Sequence, residues 1–268
     1  MTKVMIKADT RTIKSVETAC EILTCLRNQD HNTVSGIAEH LEKSPGTIHT
    51  HLATLHQFGY VVQEGTEYEL GPEFLPMGEY VRHHSPLYKA AKDQIDELAR
   101  ETGEAAHLII EHHGRLYAMY ERFGENAVGV EFHHRKRENS LKHLHCTAAG
   151  KAILASVPRE KFITVIDRNG LPPMTSSTIT KIDELVEELE EIRARGVSFA
   201  DEEQLEGLRA VGASVQDKND TVVGAIAVSG PISRLKEERF REDFPEAVLN
   251  AARVTELNMR TQTVDSLT

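Results

Sequence analysis

The sequence predicts an α+β protein in two parts: a small helical domain closed by a β-hairpin, then a larger domain with a mainly antiparallel sheet flanked by helices. Three observations predict it. Residues 14–57 hold three short amphipathic stretches, followed at once by a strictly alternating run at 60–70. From residue 105 the hydrophobic period turns strand-like, and several of these runs are joined by short turns, as antiparallel neighbours allow. The chain's 268 residues also fit two ordinary domains better than one.

In the first part, KSVETACEILTCLRN at 14–28 places Val16, Ala19, Leu23 and Leu26 on one helical face. A second short helix at 33–42 turns Ile37, Ala38 and Leu41 inward. The third, 44–57, has its start written in. Ser44 suits the cap, and Pro45 suits the first helical position, where a missing N–H costs nothing. Ile48, Leu52 and Leu55 face the core, while Gly46, Thr50, Ala53 and Gln57, with Thr47 and Thr54 beside them, face away. That helix contains no Arg, no Lys and no acid. Gly59 ends it, and the run from Tyr60 to Leu70 alternates around Glu64-Gly65 as a hairpin would. Helix, helix, short turn, helix and hairpin make the winged helix-turn-helix arrangement, bounding a first domain at 1–71.

A linker helix is expected over 72–85, and a second domain over 86–260. The second domain begins with a helix at 87–102 carrying Ala91, Ile95, Leu98 and Ala99 on one face. Strands follow at 105–113 and 115–123 around His113-Gly114, with a third at 127–132. Helices come next at 147–156, near 158–168, and at 181–195, where Ile182, Leu185, Leu189 and Ile192 repeat at helical spacing. Strands resume at 196–200, 208–216 and 221–229, the last two joined by the turn 217–220. A final helix covers about 238–260, leaving 261–268 as a tail.

Composition bounds the function. An apolar fraction of 40% supports a sizeable core. No stretch approaches the ~20 apolar residues of a membrane span, and the start of the chain has no apolar leader. Cys20, Cys25 and Cys146 are three and include no C-x-x-C, which fits a reduced, cytoplasmic protein. A net charge of -11 argues against a general polyanion sink, though not against a small local DNA site. It is compatible with an ordinary acidic cytosolic protein, and equally with a cell of molar internal salt, where the Debye length is roughly 3 Å.

From about Lys14 to Leu257 the chain resembles the IclR family of transcriptional regulators. The likeness rests on ordered local matches: GTIHTHLATLHQFGYV at 46–61, YELG at 68–71, LHCTAAGKAILA at 144–155, GVSFADEEQLEGLRA at 196–210 and VSGP at 228–231. The resemblance implies a winged helix-turn-helix joined to a C-terminal GAF-like effector domain. It also implies a dimer or tetramer, operator DNA as partner, a small organic acid as effector, no cofactor, and regulation of a catabolic pathway rather than catalysis.

On that reading Thr47 and Thr50 meet base edges, Ser44 and the helix start meet a phosphate, and His49 and His51 flank them. Positive charge comes from an N-terminal arm carrying Lys3, Lys7, Arg11 and Lys14. Two departures stand out: the family usually has Arg where this chain has Thr50, and the wing carries Glu64, Glu67 and Glu69 without a basic residue. Either the contacts are displaced to the arm, or the protein works at salt high enough to screen the acids. In the second domain, Thr147 would start a helix whose free amides suit an anion. The resemblance assigns the effector pocket to Leu144, Thr147, Ala148, Ala149, Ala200, Leu208, Ala210, Ala227 and Ser229. The alanines at 200, 210 and 227 stand at positions that are sometimes Asp, Cys or Ser, which opens the site to a sugar acid or keto-deoxy acid.

Half of the 14 histidines fall at 107, 112, 113, 133, 134, 143 and 145. The spacing matches no metal motif, so no metal is assigned; His143, His145 and Cys146 are the ligands a site here would use. The alternative function is a metal-dependent hydrolase using His143, His145 and Glu202 or Glu203, or a redox or metal sensor using the His-rich 107–146 region with Cys146.

Overall fold

The computed structural model describes residues 11–28, 30–128 and 143–265. It divides into two compact units, Met1–Val81 and Arg82–Thr268. Lys3 and Lys7, with most of the expected third strand at 127–132, lie outside the described residues.

The first unit contains α1 (Lys14–Asn28), α2 (Val34–His40), α3 (Pro45–Gln57), and the hairpin of β1 (Val61–Glu64) and β2 (Glu67–Leu70). Thr33 caps α2 by accepting from Gly36 N at 3.2 Å, and Ser44 caps α3 by accepting from Thr47 N at 3.2 Å. Each cap is worth ~1 kcal/mol of helix stability. The core gathers Ile22, Cys25, Leu26, Ile37, Ala38, Ile48 and Leu52 under Val61 and Tyr68 of the hairpin. Tyr68 N donates to Asn32 O at 2.7 Å, which ties the hairpin to the α1–α2 turn.

The face of α1 differs from the expected one. Thr18, Ile22, Cys25 and Leu26 are buried, whereas Val16 is 56% exposed. The helix carries two apolar stripes about a quarter turn apart, and its neighbours α2 and α3 select the one centred on Ile22. Thr18 and Cys25, small and weakly polar, are tolerated inside.

Helix α4 (Phe74–His83) fills most of the expected linker, and the division between units falls within it, after Val81. Helix α5 (Pro86–Thr102), capped by Ser85, opens the second unit. Its sheet has five antiparallel strands in the order β4-β3-β7-β6-β5. These are β3 (Ala105–His112), β4 (Arg115–Phe123), β5 (Ser198–Asp201), β6 (Leu208–Gln216) and β7 (Val222–Pro231). His113 and Gly114 both take positive φ (53° and 74°), the two-residue turn that suits the strands' twist.

Alternation along each strand divides the core. Ala106, Leu108, Val211, Val215, Ile226 and Val228 point to one face, packed with Ile95 and Leu98 of α5 and Val248 of α9 (Phe244–Asp265). Ile109, Leu116 and Ala225 point to the other, beneath α6 (Ala148–Ser156), α7 (Arg159–Asn169) and α8 (Ile182–Arg195). The last helix enters through a π turn at Arg239–Asp243 and runs to Asp265. The expected tail from 261 is therefore helical through 265.

Candidate ligand pocket and recognition helix

The α6 side of the sheet holds a cavity lined from β3, β4, β5, β6 and β7 and closed by the start of α6. Its walls are His107, Ile109, Leu116, Ala118, Glu121, Thr147, Ala148, Ala149, Ala200, Gln204, Leu208, Ala210, Ala227 and Ser229. Register explains the set. Ala200 pairs with Ala210, Ala210 with Ser229, and Ala227 with both His107 and Gly212, so these residues share one face. The space exists because that face is built from alanines, whose side chains stop short of the overlying helix.

Two glycines set the roof. A Cβ at Gly212 would lie 2.8 Å from Ala148 C and 2.9 Å from Ala149 N, so only glycine lets α6 start this close to β6. A Cβ at Gly150 would lie 2.2 Å from Leu144 O. Leu144 itself packs in the core under α6, at 2% exposed, and does not reach the cavity. Leu144 is thus the one expected pocket residue that does not line it; Thr147, Ala148, Ala149, Ala200, Leu208, Ala210, Ala227 and Ser229 all do.

Three polar residues that the sequence reading passed over or left unassigned also line the cavity: His107, Glu121 and Gln204. His107 Nδ1 lies 2.7 Å from Glu121 Oε1, and its Nε2 lies 2.8 Å from Ser229 Oγ. The carboxyl oxygen accepts from the Nδ1–H, which fixes the ring and leaves Nε2 toward the serine hydroxyl. Glu121 reaches this face through a bulge. Leu108 pairs with Tyr120 and Ile109 with Ala118, so Met119 is extra and the alternation of β4 shifts by one. Leu116 and Ala118 before the bulge, and Glu121 beyond it, then all point inward.

Beside the cavity, Lys151 Nζ donates to Glu203 Oε1 at 2.6 Å and to Glu188 Oε1 at 3.3 Å. Arg195 Nη2 donates to the same Glu188 oxygen at 2.9 Å. Burial pushes the Glu203 carboxyl above the usual range, against the pull of Lys151. Thr178 Oγ1 donates to Glu203 O at 2.6 Å. The β5–β6 loop that carries Gln204 into the cavity is therefore anchored from two sides.

In the first unit, α3 presents an outer face of Gly46, Thr47, His49, Thr50, Ala53, Thr54 and Gln57, all exposed. Its hydroxyls are already engaged as donors along the helix: Thr50 Oγ1 donates to Gly46 O and Thr54 Oγ1 to Thr50 O, both at 2.9 Å. Ser44 Oγ and Thr47 Oγ1 lie 2.8 Å apart. His51 Nδ1–H donates to Thr47 O at 2.8 Å. Toward a partner, Thr50 therefore offers lone pairs and a methyl group rather than a proton. Arg11 and Lys14 are exposed at the start of α1, and Glu64, Glu67 and Glu69 are exposed on the hairpin.

Residues 79–256 match the family described as Bacterial transcriptional regulator IclR C-terminal. Residues 17–62 match the helix-turn-helix family described as Bacterial regulatory protein, arsR family. The chain belongs to the IclR family. It is 37% identical over 252 residues to "Probable HTH-type transcriptional regulator ArcR" of Halobacterium salinarum, covering 94% of this chain and 95% of that one. It is 30% identical to the "Glycerol operon regulatory protein" of Streptomyces coelicolor, covering 91% and 95%. An IclR homologue from Microbacterium hydrocarbonoxydans, crystallised with 4-hydroxybenzoate, shares the fold with a TM-score of 0.77 at 17% identity, covering 92% and 99%.

As an IclR-family member the chain is a helix-turn-helix transcriptional regulator and not an enzyme. The groups of the hydrolase alternative are placed accordingly. His145 is buried and its Nε2–H donates to Pro172 O at 3.2 Å; burial pushes its pKa down. Cys146 is 1% exposed with its thiol against His143 O, which removes it from the solvent a redox sensor needs. Glu202 accepts from Gly207 N at 2.7 Å, and Glu203 is held by Lys151. Among the described residues, His143, His145 and Cys146 do not converge as metal ligands. His133 and His134 lie outside the described residues. No helix among the described residues is long and apolar enough to cross a membrane.

Proposed function

We propose that this IclR-family regulator acts in the cytoplasm as a homodimer or tetramer on the operator of a catabolic pathway, and that a small carboxylate bound in the alanine-lined cavity switches it. The observation that carries the ligand reading is the roof of that cavity. Gly150 N bonds to Thr147 Oγ1 at 3.0 Å and Lys151 N to Thr147 O at 2.9 Å. The amides of Ala148 and Ala149 then remain in the first turn for a ligand, at the positive end of the helix dipole. Ser229 and His107 offer a hydroxyl and an imidazole to the rest of the molecule. Among the described residues no Lys or Arg lines the cavity, so the anion is met by amides rather than by a salt bridge. The enclosed volume is about 80 Å³. At ~10–15 Å³ per water-sized probe, that fits a small acid better than a nucleotide. The Microbacterium homologue of the same fold was crystallised with a small carboxylate, 4-hydroxybenzoate.

On the DNA side, Thr47 and Thr50 read the major groove, Ser44 and the α3 start hold a phosphate, His49 and His51 flank them, and Arg11 and Lys14 add charge. Ligand binding at α6 repacks the second unit, and the change passes along the α4 segment to the spacing of paired recognition helices. Half-sites at fixed separation make that spacing decisive for affinity.

The test is ligand-induced thermal stabilisation of the full chain, screened across small carboxylic acids and their alcohol isosteres. A hit should raise the melting temperature in wild type and fail in Ala227→Leu, whose longer side chain fills the cavity. Retention of the shift in Ala227→Leu, or equal shifts with acid and alcohol, sinks the assignment.

A further inference from the structure

We propose that the helix-turn-helix unit carries an exchangeable site for a divalent transition metal of zinc type, built from Cys25, Asp30 and His40. The three come from the last turn of α1, the α1–α2 turn and the last residue of α2. Their ligand atoms lie within 4.8 Å of one another, and Asp30 Oδ2 is 3.9 Å from His40 Nε2. Around a tetrahedral ion with bonds of about 2.0–2.3 Å, ligand atoms stand roughly 3.3–3.8 Å apart. The cluster therefore closes on an ion by movements of about 1 Å or less, within reach of the half-exposed Asp30 and His40 side chains.

The donor set is borderline-soft. One thiolate, one imidazole and one carboxylate suit zinc, cobalt or iron(II) and not magnesium or calcium. Cys25 is 3% exposed, and its weak S–H donation runs to His31 O at 3.6 Å. A buried thiol is commonly just packing. Here its open side meets a carboxylate and an imidazole, an arrangement that a cation reconciles. Asn28 Nδ2 donates weakly to Asp30 Oδ2 at 3.5 Å, and the His31 ring lies 5.0 Å from the His40 ring, centroid to centroid. Three protein ligands leave a fourth position toward solvent, the arrangement of a site that exchanges its metal.

Occupancy pins α1 to α2 four residues before the Ser44 cap of α3. Metal availability then sets how firmly the recognition helix is held, in a unit distinct from the one that holds the ligand cavity. The inference stands or falls independently of the effector reading.

The probe is Co²⁺, titrated into full-length untagged protein stripped with chelator. Wild type should show a near-ultraviolet thiolate-to-cobalt band, visible bands of tetrahedral intensity and an upward melting shift. Cys25→Ser and His40→Ala should lose the bands, while Cys20→Ser and Cys146→Ser keep them. His40 is half exposed at a helix end, so His40→Ala should hold its circular dichroism even where Cys25→Ser does not. Absence of the thiolate band in wild type overturns the proposal, as does its survival in folded His40→Ala.

Discussion

Lys151 Nζ and Glu203 Oε1 meet at 2.6 Å with both residues closed off from solvent, Lys151 at 1% and Glu203 at 7% exposed. The contact joins α6, which roofs the cavity, to the β5–β6 loop, which lines it. Removing one partner strands a charge, a loss of about 3–5 kcal/mol, whereas removing both leaves less uncompensated. Lys151→Met should lower the urea midpoint sharply, and Lys151→Met with Glu203→Gln should recover part of it. Equal losses in the single and double variants would show that the pair is not coupled.

His145 makes the second unit acid-sensitive. Its folded pKa lies below the ordinary 6.5, chiefly through burial, so the fold holds the ring neutral. The stability this contributes is present above pH 6.5 and is lost as pH falls from there toward the lower folded value. Thermal melts between about pH 7 and about pH 5 should fall more steeply for wild type than for His145→Gln. Parallel slopes would assign the acid response elsewhere.

Thr47→Ala with Thr50→Ala should erase discrimination between operator and scrambled duplex, by roughly tenfold or more, and leave effector-induced melting shifts intact. Fluorescence anisotropy on both duplexes measures it. Ser44→Ala is the informative companion, since it loses a cap worth ~1 kcal/mol and the contact to the Thr47 hydroxyl while keeping both threonines.

The hairpin acids predict the opposite of a loss. Glu64→Lys with Glu67→Lys replaces exposed repulsion with attraction, so non-specific duplex binding should tighten. Each new phosphate contact should steepen the slope of log K against log salt by about 0.9. An unchanged slope would place the hairpin away from the backbone.

The recognition helix was legible in the sequence because its start, its inward stripe and its terminating glycine are local signals, and the structure has Ser44 capping Pro45–Gln57 as those signals require. Small residues at 147–149 and 200–229 were legible through resemblance, and register puts them on one face of the sheet. Glu121 was not. Counting by twos from Leu116 and Ala118 puts Tyr120 inward, and only the extra Met119 reverses this. His107 was hidden among other histidines, since what distinguishes it is partners 14 and 122 residues away. The stripe on α1 failed for a related reason: a helix with two apolar faces cannot say which one its neighbours will cover.

The bulge at Met119 makes the polarity of the cavity a matter of counting. Were Met119 to take an ordinary place in the ladder, every pocket side chain would remain in the sequence, yet Tyr120 would turn inward with Leu116 and Ala118, and the carboxyl of Glu121 would turn away. A lineage could thus exchange an acidic wall for an aromatic one by losing the bulge while keeping the strand's length, with no substitution at any residue that touches ligand. Alignments of such relatives would show intact pocket residues and altered chemistry, and the pairing of β4 with β3 is where the difference would be found.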